Sequence, residues 1–294
     1  MLRKLVSALL KYAVGTLLGA SLIVPCVALA QPPSGPPPGA RPANGPPQMP
    51  MKIDPDPRVQ QRTYHFADTN EDLAYTVFVS SKVQKGKPAP LIVALHGFGG
   101  DSNFIVRGKL VDLAEEGGYI VVGPMGYNVA GWYGSPVIVM GGGNEVKPAN
   151  LRDLSEKDVL NVLEMARKEF TVDPNRTYLM GHSMGGAGTL FLGQKYASQW
   201  AAIAAIAPAA FMMQPTQKDI LAPIQKAGLP LMITQGDNDN IVPPVNTRTW
   251  ATAMDELKLP EHRYVEMAGR DHGTIIADSM PDIFQFFASH PKKK

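Results

Sequence analysis

Arg176-Thr177-Tyr178-Leu179-Met180-Gly181-His182-Ser183-Met184-Gly185-Gly186-Ala187-Gly188-Thr189 is the stretch that decides the fold. Its apolar start reads as a buried strand, its small-residue end as a helix, and Gly-x-Ser-x-Gly joins them. Such a turn strains the backbone at the serine and projects the side chain from the carboxyl edge of a sheet. Gly181 and Gly185, two residues to either side, are what let strand and helix pass closely. Ser183 is thus the candidate nucleophile. The Met184 N–H, at the positive end of the new helix, is placed to donate to an oxyanion.

A partner for that donor is expected upstream. Leu91-Ile92-Val93-Ala94-Leu95 reads as a fully buried strand that ends in His96-Gly97-Phe98-Gly99-Gly100. The glycines let the loop turn its N–H groups inward, so the Phe98 N–H is the second expected oxyanion donor. His96 reads as structural, holding the loop by a hydrogen bond. Before this strand, 63–66 and 74–80 suggest a hairpin. After it come a helix over 105–116 and a strand over 119–123. The long loop 124–150 carries Trp132-Tyr133, which with Met125 are candidates either to line a substrate pocket or to pack the loop itself. Ser155-Glu156-Lys157-Asp158 has capping-box spacing and is expected to start a helix that Asp173-Pro174 ends.

Downstream, 201–207 and 231–235 read as buried strands, and the second opens into Gly236-Asp237-Asn238-Asp239. An acid in a turn past a strand suits the residue that orients a catalytic histidine. Asp239 is the first choice and Asp237 the reserve. A helix over 247–258 and a strand over 262–267 lead to Gly269-Arg270-Asp271-His272-Gly273, which makes His272 the expected base. His65, His182, His262 and His290 read as surface or packing residues. Ser183, Asp239 and His272 follow the chain order of doubly wound hydrolases.

Composition narrows the rest. The 294 residues, 45% hydrophobic, suffice for one large core. The net charge is +2, but Arg3, Lys4 and Lys11 leave the chain after residue 30 near −1, so no nucleic-acid surface is indicated. Residues 1–30 read as a secretory signal: basic start, apolar run 12–24, then Ala28-Leu29-Ala30 before Gln31. Cleavage after Ala30 implies a secreted or periplasmic protein without stable membrane insertion; the alternative is an uncleaved membrane anchor. Cys26 is the single cysteine, so removing the leader removes every thiol. Residues 31–57 hold eleven of the 27 prolines and read as an extended tether rather than a docking motif, leaving 58–294 as the catalytic domain. Phosphate-loop, HExxH and Cys/His ligand spacings are absent, so neither metal nor organic cofactor is expected.

The motifs at 95–100, 181–186, 236–243 and 271–273 resemble the α/β-hydrolase superfamily. The likeness is to the secreted branch of feruloyl esterases and polyhydroxybutyrate depolymerase-like proteins, bordering the prolyl oligopeptidase catalytic domain. It covers about 64–287. The resemblance implies an α/β fold with an eight-stranded, mostly parallel, doubly wound sheet and a triad at Ser183, Asp239 and His272. It also implies acyl transfer on a small-molecule or polymeric ester. A serine peptidase, an acyltransferase and a non-catalytic binding protein on the same fold are the alternatives, because this branch shares one triad among several substrates.

Overall fold

The computed structural model describes residues 54–136, 148–211 and 217–292. Eight strands form one sheet: β1 (Gln60–Phe66), β2 (Glu71–Val79), β3 (Ala89–Leu95), β4 (Ile120–Pro124), β5 (Val172–His182), β6 (Ala202–Ile206), β7 (Leu231–Gly236) and β8 (His262–Met267). Their order is β1-β2-β4-β3-β5-β6-β7-β8. β2 pairs antiparallel with β1 and β4, and every later pairing is parallel. The six parallel strands therefore end at one edge, which collects the loops after Leu95, Pro124, His182, Ile206, Gly236 and Met267.

Among the described residues six α-helices cover the sheet: α1 (Lys109–Gly117), α2 (Leu151–Glu169), α3 (Met184–Lys195), α4 (Gln217–Ala227), α5 (Pro244–Glu256) and α6 (Thr274–Ser289). The period-two alternation of β3 divides the core. Leu91, Val93 and Leu95 pack with apolar residues of α2 to α5, while Ile92 and Ala94 face those of α1 and α6. An apolar run with both faces covered is what a central parallel strand requires. Burial of each large β3 side chain stabilises the fold by about 1.5–3 kcal/mol.

Several element boundaries differ from the sequence reading for local reasons. The helix expected over 105–116 starts at Lys109, because Gly108 has φ 52°, outside the right-handed helical range. Ser155 does not start a helix; α2 begins four residues earlier, and the Ser155 hydroxyl accepts the Tyr133 N–H at 2.9 Å. Asp173-Pro174 lies inside β5, in a register shift between the Ala89–Val172 and Leu91–Thr177 pairs, where a missing N–H is tolerated.

At the elbow, Gly181 pairs with Leu95 on one side and Ala205 on the other. A Cβ on Gly185 would lie 2.3 Å from the Leu95 carbonyl oxygen, a backbone atom that cannot rotate away. Gly185→Ala is therefore expected to destabilise the protein by at least about 1–3 kcal/mol. A urea midpoint unchanged from wild type would show that α3 does not press on β3 as described.

Candidate active site

Strain gathers at the carboxyl edge. Among the described residues seven non-glycine residues have positive φ, and five of them (Tyr127, Trp132, Tyr133, Ser183 and Ala207) lie in loops at that edge. Ser183 has φ 56° and ψ −113°, conformational cost that tight surroundings must hold in place. Its N–H donates to the Ile206 carbonyl at 2.9 Å, and its own carbonyl accepts the Ala187 and Ala209 N–H groups at 3.0 and 2.9 Å.

The loop after β3 lies directly against Ser183. A Cβ on Gly97 would stand 3.4 Å from the Ser183 Cβ. The loop is tied by Gly100 N–H to the Gly97 carbonyl at 3.0 Å and by Gly99 N–H to the Val129 carbonyl at 2.9 Å. Among the described residues neither the Phe98 nor the Met184 N–H meets an acceptor. Met184 is the first residue of α3, where no intrahelical carbonyl is available. The His96 ring is buried, with each nitrogen 2.8 Å from a carbonyl, that of Gly97 and that of Met125. A neutral imidazole donates to only one of these, and burial holds its pKa down.

Asp239 and His272 are joined: the His272 Nδ1 lies 2.7 Å from Asp239 Oδ2. Oδ1 accepts the Ile241 and Val242 N–H groups, both at 2.8 Å, and the Gln235 amide donates to Oδ2 at 3.0 Å. Burial of Asp239 pushes its pKa up. The bond and charge of His272 and the two backbone N–H groups outweigh that and hold it below the ordinary value. Asp237 instead accepts the Gly269 N–H at 2.6 Å, tying the loops after β7 and β8 together away from the imidazole.

Ser183 Oγ makes no hydrogen bond among the described residues; the residue before it, His182, meets His272. The His182 ring lies 4.5 Å from the His272 ring, and His182 Nε2 is 2.8 Å from the His272 carbonyl oxygen. A carbonyl only accepts, so Nε2 carries the proton.

The Esterase family, described as "Putative esterase", matches residues 68–272. This chain belongs to that family. S-formylglutathione hydrolase of Bos taurus is 28% identical over 147 residues, 46% of this chain and 51% of that protein, so the chain spans about half that relative's length. Among solved structures, a thermostable esterase shares 22% identity at a TM-score of 0.61, covering 80% of this chain and 64% of that one. A ferulic acid esterase of Anaeromyces mucronatus shares 19% identity at a TM-score of 0.62, covering 84% and 97%. These structural likenesses agree with the α/β-hydrolase sheet described above.

In this esterase-family chain Tyr133 does not open to solvent. It is fully buried, its ring fills the space beside Gly126 and Gly188, and its hydroxyl donates to the His96 carbonyl at 3.2 Å. Of the pair Trp132-Tyr133 it is Trp132 that is half-exposed, and it packs at 6.2 Å on Phe98, which is 44% exposed. Met125 is half-buried, and its carbonyl faces His96.

Two polar anchors escaped the sequence reading. Gln235 is a fully buried amide next to the end of β7, and a long polar side chain at the close of a mainly apolar strand would have flagged it. Asp158 is fully buried on α2 and accepts from the Tyr64 hydroxyl at 2.5 Å and the Gly126 N–H at 2.6 Å, holding the loop after β4. Its signal was masked by the capping-box pattern. Among the described residues no group of three or more His, Cys, Asp or Glu side chains could hold a metal ion, and no helix is long and apolar enough to cross a membrane.

His182 also sets an acid limit on stability. Burial, and then the neighbouring His272, pushes its pKa down to about 3, so it stays neutral in the fold while the unfolded chain takes up a proton below about 6.5. Stability is therefore complete above pH 6.5 and falls as pH drops from there toward 3. Asp239, the other charge near His182, titrates below the ordinary carboxylate range and contributes little at pH 5. Roughly 2 kcal/mol of the wild-type loss between pH 7 and pH 5 should be missing from His182→Phe. Parallel urea curves at the two pH values measure it, and equal losses in both proteins would contradict the neutral buried ring.

Proposed function

We propose that this chain is a serine hydrolase of carboxylic esters that works through an acyl-enzyme on Ser183. The observation that carries the reading is the 2.7 Å pairing of Asp239 with His272, beside a strained serine and two backbone N–H groups that meet no acceptor among the described residues. His272 Nδ1–H donates to Asp239, which leaves the Nε2 lone pair to take the Ser183 proton. Ser183 Oγ then bonds to the ester carbonyl carbon, and the Phe98 and Met184 N–H groups receive the negative oxygen. Collapse breaks the bond to the alcohol, which leaves with the proton from His272. Water, deprotonated by the same nitrogen, releases the acid and restores the serine.

The half-exposed Trp132 and the exposed Phe98 supply an apolar wall beside the proposed oxyanion site and favour apolar acyl groups. Side-by-side assay of p-nitrophenyl esters, feruloyl esters, S-formylglutathione, a polyester and a chromogenic peptide tests the class. Peptide turnover without ester turnover would sink it. Labelling by a fluorophosphonate separates a hydrolase from a binding protein on the same fold.

Secretion rests on the leader pattern in residues 1–30, and the tether on the prolines of 31–57; residues 1–53 lie outside the described residues. An exported protein whose mass begins at Gln31 is the expected outcome for the leader. For the tether, a chain starting at Arg58 should hydrolyse a soluble ester at the full-length rate and melt at the same temperature.

A further inference from the structure

We propose that His182 is a positioning residue, which holds the main chain of His272 against the oxyanion loop and so fixes the distance between base and nucleophile. The inference rests on the catalytic reading given above. His182 is 3% exposed and covalently adjacent to Ser183. Its ring lies nearly parallel to Phe104, 5.7 Å away with an interplanar angle of 19°, and 4.5 Å from the His272 ring. Nε2–H donates to the His272 carbonyl at 2.8 Å.

The other nitrogen identifies what that bond is for. Among the described residues Nδ1 is a buried acceptor with no partner, and a Cβ on Gly97 would come within 3.1 Å of it. A buried acceptor left unpaired destabilises the fold, and a phenyl or isobutyl group would fill the same space without that cost. The donor bond to the base is the interaction an apolar side chain could not supply. Asp239 holds the His272 imidazole through its Nδ1, and His182 holds the same residue through its carbonyl. With both anchored, Nε2 of His272 has little freedom relative to the serine next to His182. His272 and Asp239 are the titratable groups that act on His182, and a neutral His182 adds no charge beside the imidazolium that forms during acyl transfer.

Full-length His182→Phe and His182→Gln, with Ser183→Ala as reference, test this on p-nitrophenyl acetate. Phe keeps the ring and loses the donor; the Gln amide nitrogen falls close to where imidazole Nε2 lies. We expect His182→Phe to fold, to lose about 10²-fold in kcat, the scale of a misplaced reacting group, and to keep KM within about twofold. His182→Gln should recover at least about tenfold of that loss. Wild-type kcat in His182→Phe, or a Gln variant as slow as Phe, overturns the positioning role. Should the Phe protein fail to fold, the folded Gln protein decides alone: kcat near wild type supports the role, and a 10²-fold loss overturns it. Full activity of Ser183→Ala would overturn the catalytic reading and this inference with it. An inactive Ser183→Ala beside a fully active His182→Phe overturns only the inference.

Discussion

Ser183→Ala is expected to leave a folded protein whose kcat on a p-nitrophenyl ester is lower by on the order of 10³-fold to 10⁶-fold. The substitution removes one hydroxyl that makes no hydrogen bond among the described residues, so the fold loses no bond with it. Alanine also retains the backbone that seats the turn: N–H to Ile206 and carbonyl to Ala187 and Ala209. The positive φ of 56° is the same burden for alanine as for serine. What disappears is the covalent route, leaving only oxyanion stabilisation and binding. Kinetics should be read together with the far-UV spectrum and fluorophosphonate labelling. Turnover within tenfold of wild type in a folded Ser183→Ala protein would remove Ser183 from the mechanism.

The architecture was legible wherever one residue pattern has one structural solution. β3 is apolar throughout because both faces are covered, and the glycines at 181 and 185 are forced because a Cβ at either would lie 2.3 Å from a backbone oxygen. The reading was weaker where a local pattern competes with a distant partner. Ser155 has the spacing of a cap, yet its hydroxyl is taken by Tyr133, which is 22 residues earlier. Tyr133 in turn reads equally well as pocket wall or loop filler until the glycines it fills against, Gly126 and Gly188, are seen around it. His182 shows the same limit most plainly. Nothing in its neighbours along the chain reveals that its ring reaches the carbonyl of a residue 90 positions later. The choice of Asp239 with Asp237 in reserve likewise had no decisive local signal, since both lie in one turn and the path of the loop after β8 separates them.

That choice gives the second large effect: Asp239→Asn is expected to lower kcat/KM by on the order of 10⁴-fold, while Asp237→Asn stays within about threefold of wild type. The asymmetry follows from the hydrogen-bond inventory. Asp239 accepts four donors, the Ile241 and Val242 N–H groups on Oδ1 and the Gln235 amide and His272 on Oδ2. An asparagine has one oxygen, which the two backbone N–H groups claim. Its NH₂ then points at the Gln235 amide, also a donor, and at His272 Nδ1. To accept from it, Nδ1 must give up its proton, the imidazole becomes the Nε2–H tautomer, and the nitrogen needed to take the serine proton is already occupied. Among the described residues the Asp237 side chain accepts one hydrogen bond, from the Gly269 N–H, which an asparagine oxygen accepts equally well; its charge also acts on Arg248, away from His272. Equal losses in the two variants, or a larger one in Asp237→Asn, would show that the partner of His272 in the working enzyme is not the acid 2.7 Å from its Nδ1.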